Sequence, residues 1–205
     1  MPRPKQRTPE LRDRVLDAAV AVLVSEGVGG FTTRRIAREA ETSLPAVYEL
    51  FGDKAGLVRE VFFGGFRRLD RHLAELPETA DPRADLEATF VAFRQFVLAN
   101  PVLAQVMFSR PFADFDPGPD DLAAGVATRR FVVGRVRRAI EAGLIGGDET
   151  DVAHVLLALA QGLAAQESAG WLGTSPASRD RRWALAVRTA LDGLAAAPPL
   201  SPPGG

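Results

Sequence analysis

Cysteine is absent from the 205 residues, which excludes a disulfide framework and any thiolate metal site. Histidine is nearly absent too: His72 and His154 are the only two, and they stand in no metal-ligand spacing. A glycine-rich loop that could cradle phosphate is also missing, because VGGF (28–31) and IGGD (145–148) read as helix ends and turns. No metal and no cofactor is therefore expected. Without cysteine, paired histidines or a phosphate loop, the usual catalytic constellations are missing, and although carboxylates are numerous, no spacing brings two of them together, so the chain is not expected to be an enzyme. Long hydrophobic runs are lacking as well. The most apolar stretch, VAHVLLALAQGLAA, contains His154 and Gln161 and falls short of the roughly 18 residues a membrane span needs. The N-terminus shows no basic region followed by an apolar run and a cleavage site. The expectation is a soluble, cytoplasmic protein with no membrane partner.

What remains is ordinary globular material, 46% apolar, in which alternating β-type runs are scarce and helical spacing recurs. The fold class expected is all-α. Thr8 as N-cap and Pro9 at the first helical position open a helix that buries Leu11, Val15, Ala18, Ala19, Val22 and Leu23, and Gly27 is expected to end it. Thr32 then caps TRRIAREA, with Ile36, Ala37 and Ala40 inward and Arg34, Arg35 and Arg38 outward. From about residue 75 larger helices are expected at about 82–99, 101–113, 120–143, 148–169 and 177–196, separated by PETADP, FDPGPD, IGGDET and GTSP. The net charge of −1 conceals a basic start, MPRPKQRT, which is either a solvated terminus or an arm able to touch phosphates.

Tyrosine is the rarest aromatic, and its single copy, Tyr48, lies in TSLPAVYELFGDK. Ser43 can cap a helix from Leu44 to Phe51, Pro45 fits its first turn, and Gly52 stops it. Isolated helices under roughly 12 residues are marginal in water, so this one must be held by tertiary contacts. Two short helices joined by a tight turn form a helix-turn-helix head whose second helix enters the major groove. Val47, Leu50 and Phe51 would pack behind it, leaving Leu44, Pro45, Ala46, Tyr48 and Glu49 toward DNA. The plainer alternative is a helical hairpin with Tyr48 in its core.

The stretch GVGGFTTRRIAREAETSLPAVYELFGDKAGLV resembles the DNA-binding domain of the tetracycline-repressor (TetR) family of bacterial regulators. The resemblance covers about residues 8–58 and rests on the glycine-ended helix, the Thr-Thr start, the Ile-Ala pair, the Ser-initiated helix with Tyr and Phe, and the following Lys. It implies phosphate contacts from Thr32 or Thr33, Tyr48 and Lys54, with Ser43, Pro45 and Ala46 nearest the bases; Arg34 lies on the same outward face. Glu41 departs from the family's usual Gly before the turn, and Glu49 would meet phosphate unfavourably unless it accepts from cytosine or pairs with arginine.

By the same resemblance, the chain divides into a DNA-binding domain (1–52), a connecting helix (53–75) and a ligand-binding and dimerisation domain (76–197), while the proline- and glycine-rich tail (198–205) is expected to be disordered. The aromatic and polar groups Phe66, Phe93, Gln105, Met107, Phe108, Phe131, His154 and Gln161 are candidates for a ligand cavity, or are plain core and surface. Leu157, Trp183, Leu185 and Leu194 are candidates for a four-helix homodimer interface, or pack within one subunit. Gly64 and Gly65 inside the connecting helix mark a possible kink. The function implied is that of a ligand-responsive regulator, repressor or activator, that binds a palindromic operator as a homodimer and is released by a hydrophobic or amphipathic small molecule. A helical module that binds another protein is the rival.

Overall fold

The structure is a computed structural model; it describes residues 8–109, 112, 115, 118, 121 and 123–196. Among these residues there are nine α-helices, a short 3-10 turn at Ala123–Gly125 and no strand. In chain order they are α1 (Pro9–Gly30), α2 (Thr33–Glu39), α3 (Leu44–Phe51), α4 (Lys54–Ala74), α5 (Pro82–Ala99), α6 (Pro101–Phe108), α7 (Val126–Glu141), α8 (Glu149–Ser168) and α9 (Pro176–Ala196). Residues 1–7 of the basic start and the C-terminal tail lie outside the described residues.

Packing divides the chain into two compact units that are not consecutive in sequence: Met1–Arg68 with Asn100–Ala124, and Leu69–Ala99 with Gly125–Gly205. The segment 100–124, placed by the sequence reading in the C-terminal domain, thus clusters with the N-terminal helices.

In the first unit, Thr8 accepts the Leu11 amide at 3.3 Å and Pro9 occupies the first turn of α1. The face Leu11, Val15, Ala18, Ala19, Val22 and Leu23 is buried, as the spacing predicts. Gly27 does break the helix, with φ 68°, yet helical residues continue to Gly30 instead of stopping there. The core is completed by Phe31, Ile36, Val47, Leu57, Val58 and Val61, and by α6, which packs on α1 and buries Leu103, Ala104 and Val106. The helix expected at 101–113 ends at Phe108. Residues 110, 111 and 113 of that expectation, and most of FDPGPD, lie outside the described residues. α4 runs through Gly64 and Gly65 without interruption. A Cβ on Gly65 would stand 2.5 Å from Met107 Sδ and 2.7 Å from its Cγ, so this glycine serves the close approach of α6.

The second unit packs α5, α7, α8 and α9 around Leu86, Phe90, Phe93, Phe96, Val132, Val136, Leu156, Trp183 and Leu191. Asp148 opens α8 by accepting the Thr150 and Asp151 amides at 2.8 and 3.0 Å. Two ionic knots hold these helices together. Asp85, at the start of α5 and 4% exposed, accepts from Thr79 Oγ1 (2.8 Å), Arg135 (3.0 Å) and Arg138 (2.6 Å). Arg135 also donates to the carbonyls of Leu76 and Pro77, which fastens the preceding loop to α7. Glu167 of α8 takes a two-pronged pair from Arg94 of α5 at 2.8 and 2.7 Å and the Trp183 indole N–H of α9 at 2.7 Å. A buried charge is tolerated only when paired in this way.

Candidate nucleic-acid interface

The reading head is built by four local decisions. Thr32, in extended backbone, accepts the Arg35 amide at 3.2 Å and starts α2. Ser43 does the same for Ala46 at 3.3 Å and starts α3, with Pro45 in the first turn where no amide donor is required. Gly52 closes α3 at φ 78°, its amide returning to the Tyr48 carbonyl at 2.8 Å. Asp53 then receives the Gly56 amide at 2.7 Å, so that Lys54 begins α4.

Between α2 and α3 the chain turns through Glu41, the one non-glycine residue with positive φ (50°) among those described. Its neighbours secure the turn: the Glu41 amide donates to Arg38 and the Thr42 amide to Ala37 at 2.9 Å. A turn of glycine type is therefore made by a glutamate, which accepts the strain of left-handed backbone.

α3 is eight residues long and is held from one side only. Val47 is fully buried and Phe51 is 8% exposed, beneath the Arg12 guanidinium at 5.0 Å. Leu50, expected behind the helix, is only half-buried. In so short a helix the inward row is the i, i+4 pair 47 and 51, and position 50 falls at its edge. Pro45, Tyr48 and Glu49 are exposed, and Leu44 and Ala46 are half-buried. Tyr48 is thus not a core residue, which removes the plain-hairpin alternative.

The structure brings together two residues that sequence could only place separately. The Tyr48 hydroxyl and Thr33 Oγ1 are 3.2 Å apart, linking the first turn of α2 to the middle of α3. Thr32, Arg34 and Ser43 are exposed, and Lys54 is half-buried. Arg35 is committed elsewhere: it bonds Glu26 of α1 at 2.7 Å and Glu39 at 2.6 Å, and these bonds, to Glu39 first, hold its pKa above the usual value. Among the described residues Arg34 and Arg38 have no acidic partner. Hydroxyls, arginines and an ammonium on one small head form a set suited to phosphate oxygens. The brace from Glu26 to Arg35 was missed in the sequence, since nothing local links the end of one helix to the next.

The ligand candidates do not converge. Phe66 and Phe108 meet edge to face at 5.9 Å in the first unit, where Met107 is buried and Gln105 is exposed. In the second unit Phe93 lines a small cavity of about 20 Å³ with Leu73, Leu86, Val132, Leu156 and Leu157. Phe131 lies instead beside the Arg135 guanidinium at 5.0 Å, His154 is exposed with Nδ1 2.7 Å from the Thr150 carbonyl, and Gln161 is exposed. The cavity's two hydroxyls turn away from it, Thr89 to the Asp85 carbonyl at 2.8 Å and Thr128 to Asp70 at 2.5 Å. Its surface is therefore hydrocarbon. A larger groove of about 420 Å³ runs between α5 and α9, lined by Phe90, Val91, Leu98, Trp183 and Arg188 among others, and Phe90 lines the cavity as well.

Of the interface candidates, Trp183 is 4% exposed and bonded to Glu167, so it is an internal residue of the subunit. Leu157 lines the cavity, and the Leu194 carbonyl accepts the Gly146 amide. Leu185 is 55% exposed and Val155 of α8, which the sequence reading passed over, is 59% exposed.

Similarity to known proteins covers both the head and the larger helices. Residues 15–61 match the family described as bacterial regulatory proteins, tetR family, and residues 86–190 match that described as tetracyclin repressor-like, C-terminal domain. A protein of unknown function from Rhodococcus sp. RHA1 shares 30% identity over 94% of this chain and 100% of its own, with a TM-score of 0.78. A tetR-family regulatory protein, also from Rhodococcus RHA1, shares 20% over 91% and 98%, with a TM-score of 0.67. A TetR variant from Acinetobacter baumannii AYE in complex with minocycline shares 18% over 87% and 93%, with a TM-score of 0.59. No curated protein matches the chain.

Proposed function

Because the chain belongs to the tetracycline-repressor family of bacterial transcriptional regulators, we propose that it is a ligand-responsive repressor which binds a palindromic operator as a homodimer. The observation that carries the reading is the head itself: α3, capped by Ser43 and backed by Val47 and Phe51, with the Tyr48 and Thr33 hydroxyls joined on its outer side. Thr32, Thr33, Tyr48 and Lys54 engage phosphates, while Ser43, Leu44, Pro45, Ala46 and Glu49 lie along the base edges. Arg34 adds charge at the flank. Phosphate contacts supply most of the affinity, and few side chains read sequence.

A single head of this size covers too little DNA to select a genomic site, so two half-sites one helical turn apart are expected. The exposed Val155 and Leu185 on α8 and α9 support a subunit contact there. The groove between α5 and α9, with Phe90, Val91, Leu98 and Trp183 in its lining, supports an effector with a substantial apolar part, hydrophobic or amphipathic. The minocycline complex of the Acinetobacter protein is in keeping with a small-molecule effector in this fold.

Selection of genomic fragments by the purified protein tests the reading. Fragments carrying an inverted repeat should be retained at about 50 mM salt and lost steeply toward about 200 mM. A screen of apolar compounds should then find one that releases them. Retention of no fragment at low salt would refute the proposal, and so would undiminished affinity in a Tyr48→Phe, Lys54→Ala double variant refute the phosphate assignments.

A further inference from the structure

Phe112 belongs to no helix, yet it is only 5% exposed. Its ring packs on Phe31 with centroids 5.0 Å apart, and the Lys54 Nζ lies 5.7 Å from the centre of the same ring. Phe31 immediately precedes the Thr32 cap of α2, and Lys54 is the first residue of α4. One ring thus touches the residues on both sides of the reading head. The same stretch of chain is anchored twice more within the first unit. Phe115 stacks edge to face on Phe62 at 5.5 Å and lies under the Arg59 guanidinium at 5.7 Å. Asp121, 5% exposed, accepts from Arg59 Nε at 2.8 Å and from the Gly118 amide at 3.0 Å. Three separate attachments hold Phe112 in register although it is remote in sequence from both its partners.

We infer that Phe112 is a positioning residue for DNA binding: the face of its ring holds the Lys54 ammonium, and its packing on Phe31 braces the start of α2. The inference rests on the reading of Lys54 as a phosphate contact. A lysine stem is rich in rotamers, and a cation held against an aromatic face has fewer of them left to lose when a phosphate arrives. The attraction at a partly exposed site corresponds to roughly a two- to fivefold change in an equilibrium constant.

The test is a double-variant cycle read on a DNA fragment retained by the wild-type protein. Phe112→Leu keeps an apolar group against Phe31 but removes the ring face, and should weaken binding about two- to fivefold, with a shallower dependence on salt. Phe112→Tyr, which restores the face, should bind as wild type does. In a Lys54→Ala background Phe112→Leu should have little further effect. Equal, additive losses in both backgrounds, or no rescue by tyrosine, would overturn the inference while leaving the operator reading intact. Failure of the wild-type protein itself to retain any DNA would instead strike at that reading. In DNA-free protein the Lys54 methylene protons next to Nζ should show a ring-current shift that Phe112→Leu abolishes. An unchanged spectrum would refute the contact even if the leucine variant were too unstable for binding assays.

Discussion

Replacing Asp85 by asparagine removes one negative charge from the most enclosed ionic site described in the second unit. The carboxylate is 3% exposed and takes bonds from the Thr79 amide and hydroxyl, Arg135 and Arg138. Burial by itself would raise its pKa; the Thr79 bonds, then Arg138 and the charge of Arg135, outweigh that and bring it from 3.8 to about 2. At about 1.36 kcal/mol per unit, the ionised form contributes at most about 2.5 kcal/mol to stability. Asparagine costs more than protonation does, because its amide group turns a donor toward Arg135, itself 5% exposed. Breaking a buried pair in this way costs about 3–5 kcal/mol. For a chain of this length that corresponds to a fall of roughly 6 to 20 °C in the unfolding midpoint. Calorimetry at pH 7 measures it, with Asp192→Asn as the control, since its partner Arg83 sits in an exposed pair expected to contribute under about 1 kcal/mol. The pH dependence has a definite direction. A carboxylate whose folded pKa is depressed contributes fully above the unfolded value, so the Asp85 contribution persists down to about pH 4 and is lost between there and about pH 2. A midpoint shift below about 2 °C at pH 7, or one no larger than the control's, would refute the account of this knot.

Glu41→Gly should raise stability by up to about 1 kcal/mol, because glycine adopts φ 50° without the Cβ penalty; denaturant titration checks this, and a loss of stability would contradict it. Gly64→Ala should be neutral or stabilising by up to about 1 kcal/mol, since the added methyl meets nothing nearer than 3.7 Å. Gly65→Ala should destabilise by about 1–3 kcal/mol because Met107 must move, and in a Met107→Ala background that cost should shrink; equal behaviour of the two glycines would be the contrary result. Val155→Asp with Leu185→Asp should convert a dimer to monomers in sedimentation at micromolar concentration, and an unchanged sedimentation coefficient would place the contact elsewhere.

The head was legible because each decision in it is made within about four residues. Thr8, Thr32, Ser43 and Gly52 act on amides or carbonyls of their own turn, and a sequence displays such groups directly. Glu41 was legible as an irregularity, and its left-handed backbone is what the missing glycine requires. The second unit was legible as helices but not as a site. Helical spacing marks which residues are apolar, not which neighbour each will meet, so Trp183 became an internal anchor for Glu167 and Gln105, His154 and Gln161 stayed outside the cavity. Phe112 and Phe115 were hidden for a related reason. Phe112 reads as the end of a helix and Phe115 as the start of a turn, and their partners Phe31 and Phe62 are far away in the chain.

The bond between Thr33 and Tyr48 carries a consequence for how the protein tolerates change. Two hydroxyls sharing one hydrogen bond use one proton between them and leave the other available to a third oxygen, and either residue can fill either role. Loss of one hydroxyl leaves its partner able to donate alone. Single substitutions at these two positions should therefore be milder than their combination, so that the head has a measure of built-in redundancy at this pair of hydroxyls. Drift at one of the two positions can then be absorbed while the other is kept, which, on the function proposed above, would give the outer side of α3 room to change without first losing its hydroxyl contact to phosphate.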